Sequence, residues 1–176
     1  MHQIELFMKY PHEVQREGLI KLIRAASDTE WGKKYNYNEI DSAKKFAERI
    51  PLQDYDSLKP FIDKMRKGEQ NVLWNSEIKW FAKSSGTTSD KSKFIPISPE
   101  SLEECHFKGG KDMLSIYCNN FPEAQLFTGK SLTLAGSLRT IPGLETVFDG
   151  DLSAVIVQNL PFLAELARTP NSEVTL

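Results

Sequence analysis

The chain has 176 residues, is 40% hydrophobic and carries a formal net charge of −2. That is one domain by length, with enough apolar side chains for a core, and the near-neutral balance gives no electrostatic reason to expect nucleic acid as a partner. No apolar run approaches the ~20 residues that span a bilayer, the opening MHQIELFMKYPHEVQ lacks the apolar stretch of a signal peptide, and Cys105 and Cys118 make neither a disulfide framework nor a metal set, so no membrane is expected and the reducing cytoplasm is the default compartment.

The elements follow in chain order. Leu19, Leu22, Ile23 and Ala26 fall at helical spacing, which predicts an amphipathic helix over about 11–27. Asp28 and Thr29 then offer a stop and a fresh cap before Trp31. DSAKKFAER, residues 41–49, reads as a second short helix ended by Pro51. Asp54 or Asp56 caps a third helix that runs to about Lys67, with Pro60 expected in its first turn and Gly68 at its end. Its basic run KPFIDKMRKGE reads as a solvated helix face. Trp31, Trp74 and Trp80 read as core or surface anchors.

Beyond that point the period changes. Ile78, Trp80 and Ala82 alternate with Lys79, Phe81 and Lys83, which is a strand pattern, and Phe94 to Ile97 form a second short strand. Ser98, Pro99 and Glu100 open a helix predicted to reach residue 118, with Leu102, Cys105, His106, Gly109, Met113, Ile116 and Tyr117 on one inward face. Cys105 and His106 are expected in the core, and Gly109 and Gly110 to mark close packing or a kink. SLTLAGS, residues 131–137, reads as a buried strand, and Asp149–Gly150–Asp151 as a turn whose acids lack partners for a metal. The type of the AVIV run 154–157 stays open; residues 161–168 read as helix. The fold class is α/β, with α+β possible, behind a helical lead.

The chemistry concentrates in KSSGTTSDKSKFIPIS, residues 83–98. The loop from Ser84 to Ser92 joins the two strands. Gly86 lets the backbone bend and approach a ligand. Ser84, Ser85, Thr87, Thr88 and Ser89 supply hydroxyl donors, and successive loop amides can form an anion nest. Lys91 and Lys93 bring positive charge. These are the parts of a phosphate cradle, although the same composition suits a solvated hairpin loop. A Walker A loop would need a second glycine and a following helix, and a dinucleotide fingerprint would need further glycines.

SSGTT with its delayed lysine resembles the phosphate loop of the adenylate-forming superfamily. In the form SSGT-(S/T)-x4-K-x2-P it is similar to the auxin-responsive (Gretchen Hagen) acyl-acid amido synthetases and their bacterial relatives. Ser84, Ser85, Gly86, Thr87, Thr88, Lys93 and Pro96 fall on that pattern. IPLQDYDSLKPFIDKMRKGE (50–69), WGKKYNYNEI and WFAKSSGTT also fit, so the likeness is close over about 28–98 and looser elsewhere.

The resemblance implies an enzyme that uses ATP and Mg²⁺ to convert a small carboxylic acid into an acyl-adenylate, then passes the acyl group to an amino acid or a thiol. It implies phosphate contacts from Ser84, Ser85, Gly86, Thr87, Thr88, Ser89 and Lys93, with Lys93 as electrostatic stabiliser, and no metal ligand. It also implies the N-terminal part of a large domain: a helical lead over 1–75, the loop hairpin over 78–98, and helix and strands over 99–176. No second nucleotide motif follows residue 98. The isolated chain is therefore expected to be inactive and to self-associate through exposed apolar surface. A non-catalytic module that binds an anion or a protein is the other reading.

Overall fold

The computed structural model describes residues 2–84, 92–126 and 128–171, with side chains described from residue 4 onward. Two compact units divide the chain, Met1–Ile78 and Lys79–Leu176.

The first unit is helical: α1 (His2–Lys9), α2 (Pro11–Ala25), α3 (Glu30–Lys34), α4 (Ala43–Arg49) and α5 (Tyr55–Arg66). The helix α1 was not foreseen. Helix α3 is short and is held almost wholly at its start. The Thr29 hydroxyl accepts the Gly32 amide at 2.9 Å, while the Glu30 and Trp31 amides donate to the carbonyls of Asn71 and Val72. Three amides that a helix start leaves orphaned are thus satisfied, two of them by a distant segment. Trp31 is buried, donates to the Tyr37 hydroxyl at 3.0 Å, and meets the Phe61 ring edge-on at 5.1 Å. Burial of that phenol pushes the Tyr37 pKa up. Ile23, Ala26, Ile40, Ile62, Met65 and Val72 complete the core. Leu22 is exposed, unlike its predicted partners Ile23 and Ala26.

Helix α5 starts at Asp54, whose carboxylate accepts the Ser57 amide while Ser57 Oγ accepts the Asp54 amide. That reciprocal box fixes the start, so Pro60 lies inside the helix and not in its first turn as expected. Gly68 ends the helix region with φ of +91°, a conformation that favours glycine.

The second unit is built on a four-stranded sheet of order β2–β1–β5–β4, with β1 at Trp80–Lys83, β2 at Phe94–Ile97, β4 at Leu138–Ile141 and β5 at Leu144–Gly150. The β1–β2 and β4–β5 pairs are antiparallel; β1 and β5 run parallel, with Trp80 opposite Phe148 and Ala82 opposite Gly150. Trp80 and Phe148 stack at 4.7 Å. On that face Ala82 and Ile97 pack with Leu102 and Val155, and the AVIV run lies in α8 (Leu152–Gln158). A separate two-stranded parallel sheet pairs β3 (Ser131–Leu132) with β6 (Arg168–Thr169), after α9 (Phe162–Leu166).

Five expectations are corrected here. The helix from Pro99 begins as α6 (Pro99–Ser101), passes through a π turn at Leu102–Phe107, and continues as α7 (Lys108–Asn120). The extra residue per turn shifts the phase of the predicted face. Leu102 is buried, but Cys105, Met113, Ile116 and Tyr117 are exposed, and His106 is half-buried. A Cβ at Gly109 or Gly110 would meet nothing within 4 Å, so close packing does not explain them. SLTLAGS is no buried strand: Leu132 and Leu134 are 72% and 78% exposed. Asp149 and Gly150 are strand residues, not a turn, because β5 pairs on both sides. Residues 161–168 are helical only over Phe162–Leu166; Arg168 opens β6.

Gly32 has no room for a side chain, since an added Cβ would lie 2.0 Å from the Ala26 carbonyl oxygen. Gly32→Ala should therefore lower stability by about 1–3 kcal/mol in urea denaturation, whereas Gly18→Ala, with nothing within 4 Å of the new Cβ, should be neutral or stabilising.

Candidate functional site

The loop of interest is closed at its base. Lys83 pairs with Phe94 in the β1–β2 ladder, and one step beyond, the Ser84 amide donates to the Lys93 carbonyl at 2.9 Å. Ser84 and Lys93 are thereby brought together at the mouth, with Ser84 half-buried and Lys93 exposed. Pro96 suits its place on β2, opposite Phe81, at the edge of the sheet. Ser85, Gly86, Thr87, Thr88, Ser89 and Lys91 lie outside the described residues.

The surroundings of this mouth follow from the sheet. Because β1 and β5 are parallel, Ser84 leaves the carboxyl end of β1 beside the carboxyl end of β5. Open α/β sheets bind ligands at such ends. There the chain turns from Gly150 through Asp151 into α8. The Asp151 carboxylate accepts the Ser137 amide at 2.9 Å, Ser153 Oγ accepts the Gly136 amide at 3.0 Å, and the Asp151 amide donates to the Ser137 carbonyl. Two glycines allow this crossing: a Cβ on Gly136 would strike Asp151 at 2.1 Å, and one on Gly150 would strike the Ser137 carbonyl oxygen at 2.2 Å.

One row back, Asp149 is buried and accepts from Arg139 Nε at 2.7 Å across the β4–β5 pair. The hydrogen bond and then the charge of Asp149 hold the Arg139 pKa above its ordinary value. Sequence reading named Asp149 only as part of a turn and missed its pairing with Arg139. The available signal was the pair of runs LRTI and LETVFDG around Pro142–Gly143, a hairpin pattern; Gly143 has φ of +83°. Cys105 and Cys118 are free thiols, and among the described residues no three His, Cys, Asp or Glu gather as a metal set.

One comparison decides the family. The model of the GH3 family N-terminal domain matches residues 1–176. The chain belongs to the GH3 family. It is 26% identical over 155 residues to an indole-3-acetic acid-amido synthetase, GH3.4, of Arabidopsis thaliana, covering 84% of this chain and 26% of the relative. It is 28% identical over 104 residues to the jasmonoyl–L-amino acid synthetase JAR4 of Nicotiana attenuata, covering 58% of this chain and 18% of that one. Among solved structures, the GH3.15 acyl acid amido synthetase superposes with a TM-score of 0.74 at 18% identity, over 99% of this chain and 30% of that chain. The matches to this GH3 chain cover between 18% and 30% of these relatives' own length. The mixed α/β class is that of the N-terminal part of the amido synthetase fold.

Gly150→Ala should separate the carboxyl end of β5 from Ser137 and lower stability by about 1–3 kcal/mol. Amide exchange should rise at Asp151, which donates to Ser137, and hold steady in α5 of the first unit.

Proposed function

We propose that this GH3 chain supplies the triphosphate-binding front of an acyl-acid amido synthetase. The enzyme would activate a small carboxylic acid with ATP and join it to an amino acid. The names of the relatives, indole-3-acetic acid-amido and jasmonoyl–L-amino acid synthetases, favour an amino acid over a thiol as acceptor. The observation that carries the reading is the loop base: a hydroxyl residue and an exposed lysine joined by the Ser84–Lys93 hydrogen bond, at the carboxyl end of a parallel strand pair.

In this reading Ser84, Ser85, Gly86, Thr87, Thr88 and Ser89 donate to the phosphate chain, through hydroxyls and loop amides. Lys93 stabilises the charge that builds on the leaving pyrophosphate. Each hydrogen bond to a charged oxygen contributes roughly 1.5–3 kcal/mol, so a handful of donors suffices to hold the tail of the nucleotide. Mg²⁺ would travel with ATP and offset phosphate charge. Holding the acid and closing the site over it fall to parts of the fold outside this chain. We place the protein in the reducing cytoplasm, in keeping with its two free thiols, and no helix among the described residues is long and apolar enough to cross a membrane. Exposed Met113, Ile116, Tyr117 and Phe121 favour self-association of the chain when it stands alone.

Two measurements test this. ATP–pyrophosphate exchange should be absent for the 176-residue chain alone; exchange above background with any carboxylate would contradict the division of labour proposed. In a synthetase that carries this chain, Lys93→Ala should cut exchange about 10²–10³-fold and shift stability by no more than about 0.5 kcal/mol. A non-catalytic anion-binding module would have no exchange to lose.

A further inference from the structure

Asp149 is a buried carboxylate in a central strand. It lies in β5, between β1 and β4, and is 3% exposed. Aspartate is depleted in strands, and a well-packed apolar residue is often at least as stable at such a place as a buried ion pair. Its partner is not buried with it. Arg139 sits opposite on the edge strand β4, donates from Nε to Asp149 Oδ1 at 2.7 Å, and keeps 70% of its side chain exposed. The pair does more to fix an arginine than to build a core.

The contact engages only the Nε donor of the guanidinium. Among the described residues the two Nη groups have no hydrogen-bond partner. A planar fork held at Nε presents its Nη groups side by side, the geometry that grips a carboxylate through two parallel bonds. The next acid along the chain, Asp151, is engaged with the Ser137 amide.

Arg139 also stands apart from the loop that carries the proposed phosphate contacts. Phe81, Asp149 and Arg139 form one row across β1, β5 and β4. Arg139 is thus two strand spacings from β1, roughly 10 Å, on the side away from β2. The Ser84–Ser92 loop joins β1 to β2. The fork therefore lies at the same end of the sheet as the loop but beside it, where a second anion can sit next to the nucleotide.

We propose that Arg139 is a carboxylate-binding residue and that Asp149 is the anchor that orients it. The ligand is the carboxylate of the small acid or that of the acceptor amino acid. The choice between these two rests on the proposed function; the receptor itself rests on the β4–β5 geometry.

The test is an NMR titration of the 176-residue chain with sodium acetate, against sodium chloride at equal ionic strength, read at the arginine side-chain N–H signals. A saturable shift at Arg139 with acetate alone is expected. Arg139→Lys keeps a cation beside Asp149 but has no fork. It should weaken acetate binding about tenfold, the worth of one charge-assisted hydrogen bond. No acetate-specific shift at Arg139 in the unaltered chain, an equal response to inorganic phosphate, or undiminished affinity in Arg139→Lys would each overturn the proposal. A synthetase that carries this chain then separates the two ligands. The substitution raises the KM of the acid in pyrophosphate exchange where the acid is held, and that of the amino acid in amide formation where the acceptor is held; a rise in neither overturns the role. Acetate binding at Arg139 beside a complete lack of exchange in that enzyme would count against the ATP reading and leave the receptor standing.

Discussion

The parallel register between β1 and β5 is the constraint on which the second unit depends. It sets Trp80 beside Phe148 and Ala82 beside Gly150, joining a hairpin from early in the unit to one formed much later. Without it the two hairpins have no common sheet and the apolar cluster around Ala82, Ile97, Leu102 and Val155 has no floor. Such a non-local pairing carries the entropy of closing a long loop before its contacts are made. The Trp80–Phe148 stack and the burial of Phe81, at 0% exposure, offset that cost.

The same register positions the base of the Ser84–Ser92 loop. Parallel strands end on the same side of a sheet, so the loop after β1 and the turn after β5 emerge together. The loop is then closed by one backbone bond, from Ser84 to the Lys93 carbonyl, while the turn is fixed by Asp151, Ser153 and the two glycines that permit the crossing. Neither arrangement needs an unusual residue. Both need strands that agree in direction and register.

The helix that follows β2 shows a different physics. Its sequence has a helical apolar stripe, but the π turn at Leu102–Phe107 moves the stripe out of phase. Leu102 stays in the core, and Met113, Ile116 and Tyr117 turn to water. This leaves the unit with apolar side chains that stand exposed.

Local signals were legible because they are read within a few residues. Thr29 and Asp54 as caps, Ser98 ahead of Pro99, Gly68 as a stop, and the β1 and β2 strands are all settled by short-range sterics and hydrogen bonding. So was the family, through SSGTT, the delayed lysine and the segments before them. What the sequence could not decide depends on partners far along the chain. SLTLAGS has the apolar pattern of a buried strand, yet burial depends on a cover that only packing supplies. Asp149–Gly150–Asp151 has the composition of a turn, yet β4 on one side and β1 on the other hold Asp149 and Gly150 in a strand, because ladder bonds on both edges outweigh a local turn preference.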